Sequence, residues 1–263
     1  MPRMSTSASA RPPLHVFARI APGAADAPLY RVVKRALLHA IEAGHCPAGC
    51  LLPNETTLAA RFGVSVGTLR HAVDELVAEH LLVRRQGRGT FVAVHNADRF
   101  LFQFFHVERA DGLHQIPQVD LIGFERVRLD DDAAEALAIR PGLAAFQIDN
   151  RLRLQGRAVI HDRLTVPALL FRGLTERRLR ERPSTIYHLY QTGFGITVTH
   201  ARERARAVAA DRLAARILGV GVGTPVMQVR RTALTFGEKP VEYRVSTIDT
   251  RLHEYVQLLS RPV

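Results

Sequence analysis

An α+β protein with two domains is predicted from three features of the sequence. The first stretch contains three helical patterns followed by a short hairpin, whereas the remainder alternates longer strands with short helices. A length of 263 residues suits two modest domains better than one large core. Hydrophobic residues make up 47% of the chain, which is enough to bury a core in each domain and excludes global disorder.

Three helices are predicted in the first domain. Apolar residues recur at helical spacing over residues 28–41, and Gly44 ends that pattern. A second helix follows Asn54, a residue type that favours the N-cap position. Gly63 supplies a turn, and Ser65 precedes the third helix. The compact spacing of the last two helices is that of a helix-turn-helix.

A basic hairpin is predicted after the third helix, because alternating residues flank a Gly-Arg-Gly tip. Three helices followed by such a hairpin form a winged helix-turn-helix. We place this domain at residues 28–95, after a loose tail at 1–27 and before a linker at 96–119. The tail lacks the apolar stretch of a signal peptide.

The second domain, residues 120–263, contains an internal echo. A short helix leads to a hairpin over residues 131–163 and again over 211–244, and Gly142 and Gly223 lie 81 residues apart. Two such halves would pair into one central antiparallel sheet, with a ligand cleft between them. Chance similarity of two helix-hairpin units explains the echo equally well. Further helices are predicted around 168–180 and 184–192, and a further strand over 196–208.

Charge and cysteine content narrow the class of protein. The formal net charge is +11 and the pI is about 10.8, with arginine as the main cation. This balance favours nucleic acid first and an anionic membrane surface second, although an arginine-rich genome would produce the same bias. Two cysteines cannot support a secreted disulfide scaffold, which points to the cytosol. No apolar run approaches the roughly 18 residues of a membrane span.

Motifs in order along the first domain resemble those of the GntR family of bacterial regulators. They are Pro28-Leu29-Tyr30, Leu52-Pro53-Asn54-Glu55, Val64-Ser65, Thr68-Leu69-Arg70 and the QGRGTFV hairpin. The second half resembles a UTRA ligand-binding domain of the HutC-like subfamily, through RLRLQGRAVIHDRLTVP, STIYHLY and the segment ending in VEYR. The resemblance implies a chorismate-lyase-like fold for that half. It also implies a homodimeric repressor that leaves double-stranded operator DNA when a small effector binds.

The resemblance places the DNA contacts on the third helix and the hairpin, or wing. The candidates are Thr56, Ser65, Val66, Thr68, Arg70, Arg84, Arg85, Gly87, Arg88 and Gly89. Arg70 would read a base and Thr68 would position it, while the wing arginines would hold phosphates. Thr56 and Val66 stand where family members often carry arginine, so the common family operator is not implied. Gly87 and Gly89 serve either close approach to DNA or the turn alone.

For the effector, the resemblance implies five residues: Arg151, Arg153, Asp162, Thr185 and Glu242. Strand alternation puts the two arginines on one face, where they would hold an anionic group. An alternative interpretation is that both are surface arginines of a basic protein. Asp162 would then be the ion-pair partner of a neighbouring arginine. Arginine together with a carboxylate suits a small zwitterion, a carboxylic acid or a phosphate.

Three other hypotheses about function remain at this point. An enzyme is disfavoured, because the sequence contains no nucleophile elbow, Walker loop or metalloprotease motif. An architectural DNA binder would need no large second domain. Cys46 and Cys50 form a Cys-x3-Cys, which is a weak signal for zinc or redox sensing. We therefore predict no enzymatic activity, no cofactor, no metal and no membrane partner.

Overall fold

A computed structural model describes residues 12–20, 27–96, 101, 103–112 and 115–257. The chain divides into two compact units, Met1–Val94 and His95–Val263. Each unit is described by itself below. None of the helices in these ranges has the length and hydropathy of a membrane-spanning segment.

The first unit contains the three predicted helices. They are α1 (Leu29–Glu42), α2 (Glu55–Phe62) and α3 (Val66–Ala78). Each helix buries one apolar stripe, which includes Leu37 of α1, Leu58 of α2 and Leu69 of α3, all at most 1% exposed. Burying such a side chain contributes roughly 1.5–3 kcal/mol, so the common core holds the three helices together.

The ends of α2 follow from its flanking residues. Asn54 Oδ1 accepts the backbone N–H of Thr57 at 2.7 Å and so caps the first turn. Gly63 ends the helix with φ 70°, a left-handed conformation that glycine adopts without strain. This confirms the predicted helix-turn-helix boundary, because the chain reverses at Gly63 and α3 begins two residues after Val64.

The wing is a two-stranded antiparallel hairpin of β1 (Leu82–Arg85) and β2 (Gly89–Val92). Arg85 pairs with Gly89 at the tip, and Leu82 pairs with Val92 at the base. Leu51, just before α2, bridges to Phe91 and ties the wing to the helices. The three-helix unit with a basic hairpin is thus the winged helix-turn-helix that the sequence predicts.

Residues of the expected tail pack against this unit. Within 1–27, the structure describes residues 12–20 and 27, and the rest of the expected tail lies outside the described residues. Phe17 is only 2% exposed and meets the ring of Phe62 edge-on, with centroids 5.7 Å apart. The expectation of a loose tail is therefore wrong for Pro12–Ile20, because a large aromatic side chain there completes the core.

Cys46 and Cys50 lie in the core of the first unit, in the turn between α1 and α2. They are 0% and 2% exposed, and neither forms a disulfide in the described residues. Burial, with Cys50 nearby, raises the pKa of Cys46 to about 12. A protonated, buried thiol is a poor nucleophile and a poor metal ligand. Among the described residues, His, Cys, Asp and Glu side chains form no group of three that would hold a metal ion.

The second unit is built on a six-stranded antiparallel sheet with the order β4-β5-β6-β9-β8-β7. The strands are β4 (Gln118–Arg128), β5 (Ala144–Leu154), β6 (Arg157–Pro167), β7 (His200–Ala209), β8 (Pro225–Thr235) and β9 (Lys239–Ile248). The order is symmetric about the β6–β9 contact, as the predicted repeat requires. The α+β fold with a central antiparallel sheet is confirmed.

The two halves repeat in detail as well as in order. Each has a short helix between its first two strands: α4 (Asp131–Leu137) in the first half and α7 (Arg212–Leu218) in the second. Asp130 and Asp211 cap these helices at their N-termini. Each helix packs on one face of the sheet with a small alanine-rich core.

The opposite face of the sheet carries the main core and two more helices, α5 (Glu176–Arg180) and α6 (Ile186–Phe194). The helix expected around 168–180 is shorter than predicted, because residues 168–173 form turns. Strand β6 extends through Pro167, and Gly173 has φ 80°, so the helix begins only after Thr175. The strand expected over 196–208 begins at His200.

The segment placed at 96–119 as a linker contributes to the second unit. Phe104 and Phe105 are 2% and 5% exposed and belong to its main core. Strand β3 (Val107–Arg109) pairs with β10 (His253–Tyr255) near the end of the described chain. Phe104 and Phe105 are thus core residues of the second unit rather than parts of a linker.

Candidate DNA-binding and effector sites

Two hydroxyl groups mark the first turn of α3, the helix predicted to enter the major groove. Ser65 Oγ accepts the backbone N–H of Thr68 at 3.1 Å and lies 2.9 Å from Thr68 Oγ1. Val66, at the first helical position, is 36% exposed. The three candidates Ser65, Val66 and Thr68 therefore lie together at one accessible helix end, whose free amides and positive dipole suit a phosphate.

One carboxylate joins two of the candidate arginines. Arg70 Nε donates to Glu55 Oε2 at 3.0 Å, and Arg84 Nη2 donates to Glu55 Oε1 at 3.0 Å. Arg84 also pairs with Asp74. The arginine side chains are 59% and 39% exposed, so each pair contributes only about 0–1 kcal/mol. Glu55 orients both guanidinium groups, and exposed pairs of this kind separate at small cost in free energy. Thr56, the next residue of α2, is exposed.

The two arginines of β1 lie on opposite sides of the wing, as strand alternation predicts. Arg84 faces the helices, where it meets Glu55, whereas the Arg85 guanidinium lies 5.0 Å from the ring centroid of Phe91. Arg88 is exposed at the tip. Arg85 and Arg88 therefore remain available to solvent while Arg84 is tied to the helices.

The two wing glycines differ in what they permit. Gly89 has φ 105°, and a Cβ atom there would lie 2.8 Å from Leu51 Cδ1. Gly87 has φ 67°, and nothing lies within 4 Å of its would-be Cβ. Gly89 is thus required by close packing as well as by its backbone conformation, whereas Gly87 is required by its conformation alone.

A cleft of about 610 Å³ lies on the second unit. Its walls come from β4, β5, β6 and β9 and from residues 180–186, which connect α5 to α6. Of the five predicted effector residues, Asp162 and Thr185 line it. The cleft also contains residues that the sequence reasoning did not single out, and the polar ones are Asp120, Asn150, Arg180, Arg182, Ser184 and Arg244.

Arg244 stands between two carboxylates on the floor of the cleft. Its Nη1 donates to Asp162 Oδ2 at 3.1 Å, and its Nε donates to Glu242 Oε1 at 3.0 Å. Arg244, Asp162 and Glu242 are 4%, 4% and 0% exposed. Burial disfavours the charge of Arg244, but the charge of Glu242 together with Tyr187 and Asp162 outweighs it and raises the pKa of Arg244. Ser246 Oγ completes the cluster, 2.5 Å from Asp162 Oδ1.

Glu242 lies beneath the cleft rather than on its wall. The phenols of Tyr187 and Tyr190 donate to its two carboxylate oxygens at 3.2 and 2.7 Å. Burial, together with the charge of Glu242, raises the pKa of Tyr187 to about 12 and also raises that of Tyr190, so both stay protonated as donors. Glu242 thereby fixes α6 and Arg244 to each other.

A single carboxylate holds the two predicted anion-binding arginines. Asp120 Oδ2 accepts from Arg153 Nε at 2.8 Å and from Arg151 Nε and Nη2 at 3.1 Å. The hydrogen bond from Arg153 is the main reason that the pKa of Asp120 is lowered. Asp120 lines the cleft and neither arginine does. The register explains this arrangement, because Asp120 on β4 lies opposite Arg151 on β5.

Arg182 differs from the other arginines of the cleft. Its Nη1 donates a hydrogen bond to the carbonyl of Leu179, and in the described part of the chain no carboxylate pairs with it. Burial, together with the charge of Arg244, lowers the pKa of Arg182. Arg180, in contrast, pairs with Glu176 one helical turn away. Arg182 is thus the cation of the cleft whose charge is least compensated.

Two further polar residues of the cleft are Asn150 and Thr185. Asn150 is 5% exposed, and its buried Oδ1 accepts no hydrogen bond from the described residues. Thr185 caps α6, with its Oγ1 accepting the N–H of His188 at 3.2 Å. A ligand that donates a hydrogen bond to Asn150 Oδ1 would remove an unsatisfied buried acceptor.

Sequence signals for the missed residues were present but ambiguous. Arg244 lies in the VEYR segment, 81 residues after Arg163, and Arg182 directly precedes Pro183 of the STIYHLY region. Nothing in the sequence distinguished Asp120 from other surface carboxylates, because its role depends on the pairing of β4 with β5.

Two family models match the chain in the order of its two units. The model of bacterial regulatory proteins of the gntR family matches residues 29–92, and the UTRA domain model matches residues 112–253. The first covers the winged helix-turn-helix. The second covers the six-stranded sheet and the whole of the cleft.

Curated relatives match over most of their length. The histidine utilization repressor of Pseudomonas putida is 30% identical over 226 residues, which cover 83% of this chain and 87% of the relative. The "Probable fructoselysine utilization operon transcriptional repressor" of Escherichia coli K12 is 28% identical, with 81% of this chain and 87% of the relative covered.

Solved structures agree with the fold. The ligand-binding domain of a GntR-family transcriptional regulator from Bordetella bronchiseptica is 30% identical, with a TM-score of 0.57 over 60% of this chain and 99% of that one. YydK of Bacillus subtilis matches 88% of this chain and 99% of its own at 17% identity, with a TM-score of 0.52, and supports the fold alone.

A winged helix-turn-helix followed by a ligand-binding sheet defines a DNA-binding transcription regulator that responds to a small molecule. The chain belongs to the GntR family of bacterial regulatory proteins, with a UTRA domain as its second unit. The predicted function, a DNA-binding repressor controlled by an effector, is confirmed by these matches. The family and its relatives are regulators rather than enzymes, in agreement with the sequence analysis.

Proposed function

We propose that this repressor acts in the cytoplasm as a homodimer and that its effector is a small molecule carrying one carboxylate and a hydrogen-bond donor. The observation that carries the proposal is the charge of the cleft and its immediate support. Five arginines and four carboxylates line the cleft or pair with a residue that does, which leaves one formal positive charge. These groups are Arg151, Arg153, Arg180, Arg182, Arg244, Asp120, Asp162, Glu176 and Glu242.

One net positive charge matches a carboxylate better than a phosphate monoester. A phosphate monoester carries about −1.5 to −2 charges at neutral pH, whereas a carboxylate carries one. The guanidinium of Arg182, with which no carboxylate of the described residues pairs, is the natural anchor. Ser184 and Thr185 add hydroxyl groups beside it. As long as Arg151 and Arg153 donate hydrogen bonds to Asp120, they contribute to the positive electrostatic potential of the cleft and do not contact the ligand directly.

The opposite side of the cleft accepts hydrogen bonds. Asp162 presents a carboxylate, and Asn150 Oδ1 is buried without a donor from the described residues. An amine, an imidazole N–H or a hydroxyl would satisfy both. Relatives of this chain are named for the utilization of histidine and of fructoselysine. Both compounds combine a carboxylate with such donors, which supports this ligand class without identifying the ligand.

For DNA, we propose that the first turn of α3 reads the operator and that the wing holds its backbone. Ser65 and Thr68 would contact phosphate, Arg70 a guanine, and Val66 a thymine methyl. Thr56, at the start of α2, would face the neighbouring phosphates. On the wing, Arg85 and Arg88 would bind phosphates directly, and Arg84 would do so after leaving Glu55. Gly87 and Gly89 let the backbone of the tip come close.

The coupling between the two sites is thermodynamic. A dimer reaches two half-sites in only some arrangements of its DNA-binding units. An effector that binds other arrangements more tightly weakens operator binding, and the operator weakens effector binding by the same factor.

The test is release of the full chain from an operator selected out of random duplex DNA. Matched probes share a backbone and differ in the anion: β-alanine against O-phosphoethanolamine, and glycerate against glycerol phosphate. We expect carboxylates to shift the unfolding temperature or release DNA where the phosphates do not. Arg182→Ala should abolish the response, while Arg216→Ala, an exposed arginine of α7, should keep it. A response restricted to phosphates would contradict the assigned ligand class.

A further inference from the structure

The segment Pro12–Ile20, here called the N-terminal arm, lies on the helix-turn-helix outside the region that the family model matches. Phe17 is its anchor, because its side chain is 2% exposed and meets the Phe62 ring edge-on. The backbone N–H of Ile20 donates to the carbonyl of Phe62 at 3.0 Å. Phe62 ends α2, so this bond satisfies one of the free carbonyls at that helix end.

The arm places one cation on the turn between α2 and α3. A Cβ atom added to Gly63 would lie 2.9 Å from Arg19 Nε and 3.1 Å from Arg19 Cγ. The side chain of Arg19 therefore lies directly over this glycine. Arg19 is exposed, and among the described residues no carboxylate pairs with it.

Gly63 lies two residues before Ser65, which caps the helix that reads the major groove. In a winged helix-turn-helix bound to DNA, the sugar-phosphate strand that borders the groove would pass this helix start, where Ser65 and the free amides of α3 lie. An arginine held over the same turn has both the reach and the charge to bind that strand. The arm thus adds to the DNA-facing surface a cation that the three helices and the wing do not supply.

We propose that Arg19 contacts the phosphate backbone beside the recognition helix, with Phe17 holding the arm in place. The proposal rests on DNA binding by the first unit. Arg19 also lies at the C-terminal end of α2, where a cation is favoured by the helix dipole. If this structural role were the only one, replacing Arg19 would change the thermal stability of the chain and leave the salt dependence of its DNA affinity unchanged.

The experiment measures the affinity of the full chain for two duplexes, one carrying the selected operator and one of scrambled sequence, at several salt concentrations. In Arg19→Ala, we expect the slope of log affinity against log salt to fall by about 1 for each bound subunit. Affinity should fall by roughly fivefold at low salt on both duplexes, because a phosphate contact carries no sequence information. Arg216→Ala, on the second unit, is the matched control and should leave the slope unchanged.

Two more variants separate the contact from the anchor. Arg19→Lys keeps the charge and should keep the slope. Phe17→Ala keeps Arg19 but releases the arm, and should reduce the slope as Arg19→Ala does. A wild-type slope in Arg19→Ala overturns the proposal even if its unfolding temperature drops. Failure of the unmodified chain to bind either duplex would overturn the DNA-binding function itself, and with it the role of the arm.

Discussion

Arginine–carboxylate pairs occur in both units, but the two sets differ in exposure. On the first unit, Glu55 holds Arg70 and Arg84 on the surface, where the arginines are 59% and 39% exposed. On the second unit, Arg244 lies between Asp162 and Glu242 at 4% exposure. The chemical groups are the same, and the surrounding dielectric differs.

This difference decides what each set does. A surface pair is nearly neutral in free energy, so in the proposed DNA complex a phosphate or base would replace Glu55 beside arginines that are already oriented. Breaking a buried pair is costly, because removing one member leaves the other charge buried, with neither a counter-charge nor water to stabilise it. The surface set is therefore suited to binding, and the buried set to shaping the cleft in which Arg182 retains its charge for a ligand.

Arg244→Ala tests the buried set and has the largest expected effect. The substitution leaves Asp162 and Glu242 buried without their cation, so the free energy of unfolding should fall by about 3–5 kcal/mol. Urea denaturation followed by circular dichroism measures it, with Arg216→Ala as an exposed control expected within about 0.5 kcal/mol. Equal stability of the two variants would show that the buried cluster is not structural.

Arg70→Ala tests the surface set in the opposite way. We expect the stability of the chain to change by less than about 0.5 kcal/mol, because the lost pair with Glu55 is exposed. Discrimination between the operator and a base-substituted operator should fall by about 1–3 kcal/mol. Arg70→Lys, which keeps the charge but not the fork, should also lose discrimination. Unchanged discrimination in both variants would place base reading elsewhere on α3 or on the wing.

The wing glycines sharpen the comparison within the first unit. Gly89→Ala meets a left-handed backbone and a clash with Leu51, so we expect a loss of about 2 kcal/mol. Gly87→Ala meets only the backbone cost, about 1 kcal/mol. Thermal unfolding of the two variants gives the difference. A larger loss for Gly87→Ala would contradict the packing of the wing against Leu51.

A pH series tests a third, partly buried pair in the second unit. Burial by itself raises the pKa of Asp149, but hydrogen bonding to His161 and the charge of Arg163 lower it below the usual 3.8. A lowered carboxylate pKa stabilises the fold above the unfolded value, and this contribution is lost as the pH falls through the folded value.

Asp149→Asn should therefore reduce the free energy of unfolding at neutral pH, and the gap from the unmodified chain should narrow below about pH 4. The effect is the smallest of the four, because Arg163 is partly exposed. Glu135→Gln, on the exposed side of α4, is the control. A gap that stays constant down to acid pH would mean that Asp149 does not titrate with a lowered pKa.

The sequence predicted local features well. Asn54, Gly63 and Ser65 act within one or two turns of their own helix, so their residue types specify its ends. The internal echo, which chance similarity explained equally well, agrees with the paired halves of the sheet. The prediction of a helix around 168–180 was wrong for its first part. Strand β6 continues through Pro167, and residues 168–173 form turns instead of helix.

Local residue patterns specify the order of elements, their caps and turns, and the motifs that identify the family. Which charges meet depends instead on the folded unit: Asp120 pairs with Arg151 and Arg153, and Asp162 with Arg244, 82 positions further along the chain. The packing of the first unit likewise places Phe17 on Phe62 rather than in a tail. The reason is physical, since strand register and burial bring distant residues together, and these depend on the packing of the whole unit rather than on any local pattern.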